Sequence, residues 1–207
     1  SAIDGAAVFD ANFTAVSEGS ATFTESSSNG ATVTINSTGA KPAQIVGRPW
    51  ALGDAAGLWA QTTFVQAAPY AVCAAVQFNT WASADVLFDG KTANSFAAQQ
   101  ITGTPQIRMH DGSADTATVS PVLKTRYILF ASQAADGSTR YRLNLGTAVT
   151  GTMSATGLAG LTILSDGAGA NQIGAQITAI TALSSAPSVA REEQLIRAMA
   201  AQSGVTV

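Results

Sequence analysis

Apolar and polar residues alternate with a period of two along much of this chain, the spacing that sends successive side chains to opposite faces of a strand. Over 139–145, Tyr141, Leu143 and Leu145 fall on one side, and Arg140, Arg142 and Asn144 fall on the other. In Gln-Ile-Arg-Met-His (106–110), Ile107 and Met109 point one way while Gln106, Arg108 and His110 point the other. Around 21–35, Ala-Thr-Phe-Thr-Glu and Ala-Thr-Val-Thr-Ile flank a Ser/Asn/Gly cluster, a hairpin signal. Runs at 43–46, 61–65, 70–78, 85–88, 126–131, 161–164 and 176–183 predict further strands. The pairs Asp89-Gly90, Asp111-Gly112, Asp136-Gly137 and Asp166-Gly167 predict tight reversals between them.

Only the C-terminal stretch carries a helical period, predicting a helix over about 188–202. Ser188 stands where an N-cap belongs, Glu192 and Glu193 lie near the positive end of the helix dipole, and Gly204 supplies a stop. Leu195, Ile196 and Met199 form a narrow apolar stripe, and Glu193 and Arg197 stand at the spacing of an exposed ion pair. Many short strands with turn signals between them, followed by one helix, predict an all-β fold, an antiparallel sandwich or barrel, with a short C-terminal α-helix. Neither an internal repeat nor a long linker divides residues 1–207, so one domain is expected, with the first 20 or so residues as an extended arm.

Composition narrows the partners. Only 11% of the 207 residues are charged, against roughly 25% in ordinary soluble domains. With a formal net charge of −3, the chain has no basic field to hold a nucleic-acid backbone. Pro69 and Gln77 interrupt the longest apolar run, which falls short of the ~18 residues expected of a membrane span, so no membrane insertion is expected. The single cysteine, Cys73, sits in Ala-Val-Cys-Ala-Ala-Val and reads as a buried small hydrophobe.

The order of Asp136-Gly137-Ser138-Thr139-Arg140-Tyr141-Arg142, Leu161-Thr162-Ile163-Leu164, Ile173-Gly174-Ala175-Gln176-Ile177 and a closing helix ending Ala-Gln-Ser-Gly-Val-Thr-Val resembles laminin-G-like, concanavalin A-type domains. More narrowly it is similar to those of bacteriophage, prophage and gene-transfer-agent structural proteins. The resemblance runs in outline from Trp50 to Val207 and is strongest from Leu161 onward; Ser203 stands where those domains often carry an aromatic residue, and Leu164-Ser165 where a glycine commonly ends the strand. It implies a concanavalin A-like jelly-roll β-sandwich and a non-catalytic, lectin-like domain of a virion spike or fibre. Such a domain would stand on the particle surface, adhere to a host cell-surface polysaccharide and contact other virion structural proteins. A decoration domain docking on other particle proteins is the alternative, and a polysaccharide lyase a third reading.

The chemistry of related enzymes is mostly missing. Glucanases of this fold use a Glu-x-Asp-x-x-Glu strand, and none of the four glutamates, Glu18, Glu25, Glu192 and Glu193, fits that spacing. No Gly-x-Ser-x-Gly elbow accompanies the lone histidine. Gln106, Arg108 and His110 on one strand face touch the lyase pattern, yet the companion tyrosine motif is absent. One Cys and one His do not make a zinc site, and no cofactor is expected. Calcium stays open, because Asp89, Asp111 and nearby turn carbonyls could offer hard oxygens.

Sugar recognition needs flat apolar faces and planar hydrogen-bonding groups. The candidates are Trp81, Asp89 and Asn94 in or beside loops, and Arg108, His110, Arg140 and Arg142 on outward strand faces. The three arginines could pair with an acidic polysaccharide.

Overall fold

The computed structural model describes residues 7–12, 22–24, 27, 30–37, 58–92, 95–101, 103–113 and 115–207. Their strands are β1 (Ala7–Asn12), β2 (Thr22–Thr24), β3 (Thr32–Ser37), β4 (Leu58–Thr62), β5 (Tyr70–Phe78), β6 (Phe88–Gly90), β7 (Ala97–Ile101), β8 (Gln106–His110), β9 (Arg126–Gln133), β10 (Ser138–Leu143), β11 (Val149–Thr152), β12 (Leu161–Ile163) and β13 (Ala175–Leu183). One helix, α1 (Val189–Ser203), follows them. Every strand pairing is antiparallel: β1-β13-β5-β9-β10-β11 form one sheet, β2-β3-β4-β12-β6 a second, and β7-β8 a two-stranded ribbon. The architecture is the expected all-β sandwich with a C-terminal helix.

The central strands of the six-stranded sheet are buried on both faces, and β5 shows how. Tyr70, Val72, Ala74, Val76 and Phe78 enter the core between the sheets, while Ala71, Cys73 and Ala75 face α1. Small residues on the helix side let the helix come close, where Ile128 and Phe130 of β9 meet Leu195, Ile196 and Met199. In β13 the inward set changes parity from Ala175 and Ile177 to Ile180 and Ala182, because a bulge between Ile177 and Ala179 inserts one residue.

Helix α1 has the expected ends. Ser188 Oγ accepts from the Arg191 amide, and Gly204 closes the helix at φ 65°, a left-handed conformation favouring glycine. Its buried residues are Glu192, Leu195, Ile196, Met199, Ala200 and Ser203, the spacing of one helical face. Full burial of each large apolar member contributes roughly 1.5–3 kcal/mol. The Glu193–Arg197 pair is absent among the described residues; Glu193 instead approaches Arg142, with 3.5 Å between Oε1 and Nη2.

Other expectations are corrected. Residues 7–12, read as part of an arm, form an edge strand on β13. Asp89-Gly90 is no turn: it lies within β6, paired with Thr162 and Leu161 of β12. Leu145 does not share the face of Tyr141, since Asn144 takes a positive φ of 52° and sends Leu145 to the helix-side cluster. β7 and β11 carry no strand pattern in sequence. The expected strand at 43–46 lies outside the described residues.

Candidate functional site

The ribbon formed by β7 and β8 presents one face to the core; on the other, Ala97 and Gln99 of β7 are buried and the side chains of β8 are partly exposed. Ala98, Ile107 and Met109 point inward. On the other face, register sets Ala97 opposite His110, Gln99 opposite Arg108 and Ile101 opposite Gln106. Gln106, Arg108 and His110 are each half-buried, in a row about 13 Å long by strand rise.

Both neighbours hold the ribbon in place. Val86 bridges to Gln99 on one side; on the other Ile107 bridges to Val119 and His110 to Asp115. From beneath, the Tyr141 hydroxyl reaches the Ile107 carbonyl at 2.8 Å and also the Ala117 carbonyl, joining β8 to the returning chain. Burial pushes the Tyr141 hydroxyl up to about 12, with hydrogen bonds from Thr116 and Val119 and the charge of Arg108 working against it.

One carboxylate orders the outer face. Asp115 Oδ2 lies 2.5 Å from Arg108 Nη1, and Asp115 Oδ1 lies 2.7 Å from His110 Nδ1. Arg108 Nε and Nη2 both donate to Gln99 Oε1, at 3.2 and 2.8 Å. Held from two sides, the guanidinium loses less side-chain freedom on engaging a ligand. Because a carboxylate only accepts, His110 donates from Nδ1 to Asp115.

The other sequence candidates are placed elsewhere. Trp81 is half-buried against the inter-sheet core, its Nε1 donating to the Ile101 carbonyl at 3.3 Å and its ring 5.9 Å from Phe78. It therefore stands at the Gln106 end of the ribbon, as packing more than as an open platform. Asp89, expected beside a loop as a sugar ligand, is fully buried: Oδ1 accepts from the amides of Gly90, Ser95 and Phe96, and Oδ2 from that of Gly167. Asn94 lies outside the described residues.

Arg140 and Arg142 do point away from Tyr141, but α1 covers that face. Glu192, fully buried, receives Arg140 Nε at 2.7 Å on Oε2 and meets Arg142 Nε at 2.5 Å on Oε1. The second contact is a close ion pair without hydrogen-bond alignment, as Arg142 Nε and Glu192 Oε1 both lack a well-formed hydrogen bond. These arginines fasten the helix: Arg142 is buried by it, while Arg140 keeps 31% of its side-chain exposure. In the same layer, burial, with the Glu192 charge adding to it, raises the Cys73 thiol to about 12, the inert state expected of it.

Calcium finds no support in the two aspartates proposed for it. Asp89 is taken up by backbone amides, and Asp111 accepts from Ser113 and from the Ser154 amide. Among the described residues no three His, Cys, Asp or Glu side chains gather as a metal site would need.

Sequence reasoning missed Asp115 and Gln99. Asp115 is five residues beyond His110, and only the chain's return beside β8 brings it back. Gln99 is found only through the β7–β8 register.

No family model matches this sequence, and no curated protein matches it. Solved structures do. The binding domain of botulinum neurotoxin DC in complex with SialylT superposes with a TM-score of 0.70 at 10% identity, over 96% of this chain and 52% of that one. A type C neurotoxin structure, whose description makes cell entry dependent on two ganglioside molecules, gives 0.69 at 11% identity, over 95% and 52%. A mutant of Trypanosoma rangeli sialidase displaying trans-sialidase activity gives 0.66 at 10% identity, over 100% and 35%. These likenesses show the fold alone, a β-sandwich shared with those binding domains. The chain spans about half the length of the neurotoxin domains it matches.

Proposed function

We propose that this chain is a non-enzymatic carbohydrate-binding domain whose sugar face is the outer side of the β7–β8 ribbon. The observation that carries the reading is that Arg108 and His110 share one half-buried strand face and are both oriented by Asp115. Planar donors and acceptors fixed in advance are what hydroxyl recognition needs, because side chains already ordered lose little entropy on binding. The structural neighbours include domains described with ganglioside and SialylT, which supports the same role. The sequence resemblance of the C-terminal third supports a narrower reading. In it, the domain belongs to a spike or fibre at the surface of a phage-like particle, contacts other particle proteins and adheres to a host cell-surface polysaccharide.

A glycan array probed with the purified chain tests this. Arg108→Ala is expected to weaken binding roughly 10- to 100-fold, the loss of hydrogen bonds to a charged group. Arg197→Ala, on the exposed side of α1, is expected to leave it unchanged. Binding that survives Arg108→Ala would move the site elsewhere, and unsaturated products absorbing in the ultraviolet would make the chain a lyase.

A further inference from the structure

We infer that the ribbon face selects an uncharged sugar, engaged through its hydroxyls, and turns away the carboxylates of acidic glycans. This rests on the carbohydrate-binding reading above and adds the ligand's chemical class.

Charge decides it first. Residues 106–115 hold one guanidinium, Arg108, and two carboxylates, Asp111 and Asp115. Arg108 is already neutralised at 2.5 Å by Asp115, whose side chain is 43% exposed and would lie beside any ligand on this face. An incoming uronate or sialate carboxylate would meet a like charge where it needs a free cation. Arg140, partly exposed, and Arg142, buried, are both paired with Glu192 on the face of β10 opposite Tyr141, away from the ribbon.

Hydrogen-bond geometry points the same way. The side-on fork of Arg108, Nε with Nη2, closes on Gln99 Oε1 and is not open to a second planar acceptor. The face then offers the remaining guanidinium N–H groups and the Gln106 amide as donors, with the exposed Asp115 carboxylate as acceptor. A sugar hydroxyl both donates and accepts, so neighbouring hydroxyls satisfy such a mixed face. A carboxylate only accepts, and half of the face has nothing to give it. Asp115 is thus the specificity-determining residue, although it is Arg108 that would draw the eye as an anion receptor.

The test compares two sets of soluble oligosaccharides, one neutral and one bearing uronate or sialate, on the intact chain and on Asp115→Asn, each at low and high salt. Neutral members are expected to bind, with affinity steady within about twofold as salt rises, since no net charge is paired. Asp115→Asn leaves Arg108 uncompensated and is expected to raise the affinity of acidic members by about tenfold or more, in a salt-sensitive manner. Wild-type binding confined to acidic oligosaccharides and weakened by salt would overturn the inference while leaving the carbohydrate role intact. Binding of neither set would remove the carbohydrate role itself. Should Asp115→Asn fail to fold, the wild-type selectivity and its salt dependence decide alone.

Discussion

Two strands of this molecule carry the same kind of sequence signal and end in opposite surroundings. Both Arg140-Tyr141-Arg142 on β10 and Arg108-Met109-His110 on β8 set basic groups on the face away from the inter-sheet core. On β10 that face lies against α1, where Glu192, itself fully buried, holds Arg142 at 5% side-chain exposure and Arg140 at 31%. On β8 no helix lies over the face, and Arg108 keeps 24% while pairing with a carboxylate from the next turn that is itself 43% exposed. Alternation tells which side of a strand a residue takes; what lies on that side is decided by elements far along the chain.

The contrast can be broken first on the covered side. Glu192→Ala leaves buried Arg142 with only the exposed Glu193 carboxylate at 3.5 Å and is expected to cost about 3–5 kcal/mol in denaturant unfolding. Arg108→Ala, on the open side, is expected to cost less than about 1 kcal/mol, as exposed pairs do. Replacing Glu192 and Arg142 together by apolar residues of similar volume should recover most of the loss, because the expense lies in the unpaired charge.

Alkaline pH offers a second separation. Cys73, beneath α1, has its thiol raised from an ordinary value of 9.0 to about 12. The unfolded chain therefore releases this proton first, so the stability it contributes is complete below pH 9 and is lost as pH climbs toward 12. Tyr141, raised from 10.0 to about 12, acts with the same sign in the upper part of that range. Denaturation midpoints measured at pH 8 and above should fall through this window, and Cys73→Ala should flatten the slope. The smallest effect is expected at the helix entrance, where Ser188→Ala removes the cap and costs about 1 kcal/mol by the same measurement.

How much was legible in the sequence follows the same division. The alternation at 106–110 predicts β8 with its observed ends, and the unbroken apolar run at 70–78, buried on both faces, predicts β5 with its own. β7, Ala-Ala-Gln-Gln-Ile, has no alternation to read because four of its five residues are buried, Gln100 included, whose Oε1 accepts from the Ala82 amide inside. Glu192 was legible only in part. It stands at the head of the 192, 195, 196, 199 stripe, but an acid in a first helical turn has an adequate explanation in the dipole, and nothing local shows two arginines waiting on β10. The site suffered most, since Asp115 and Gln99 reach Arg108 through pairings that no single segment encodes.

Cys73 is the one sulfhydryl in the chain, and the helix-side layer roofs it completely. An alkylating dye therefore has a single target, reached only while the C-terminal segment is lifted off the sheet. The rate of its incorporation is a clock for that opening, free of background, and it can be run on the intact domain with and without sugar.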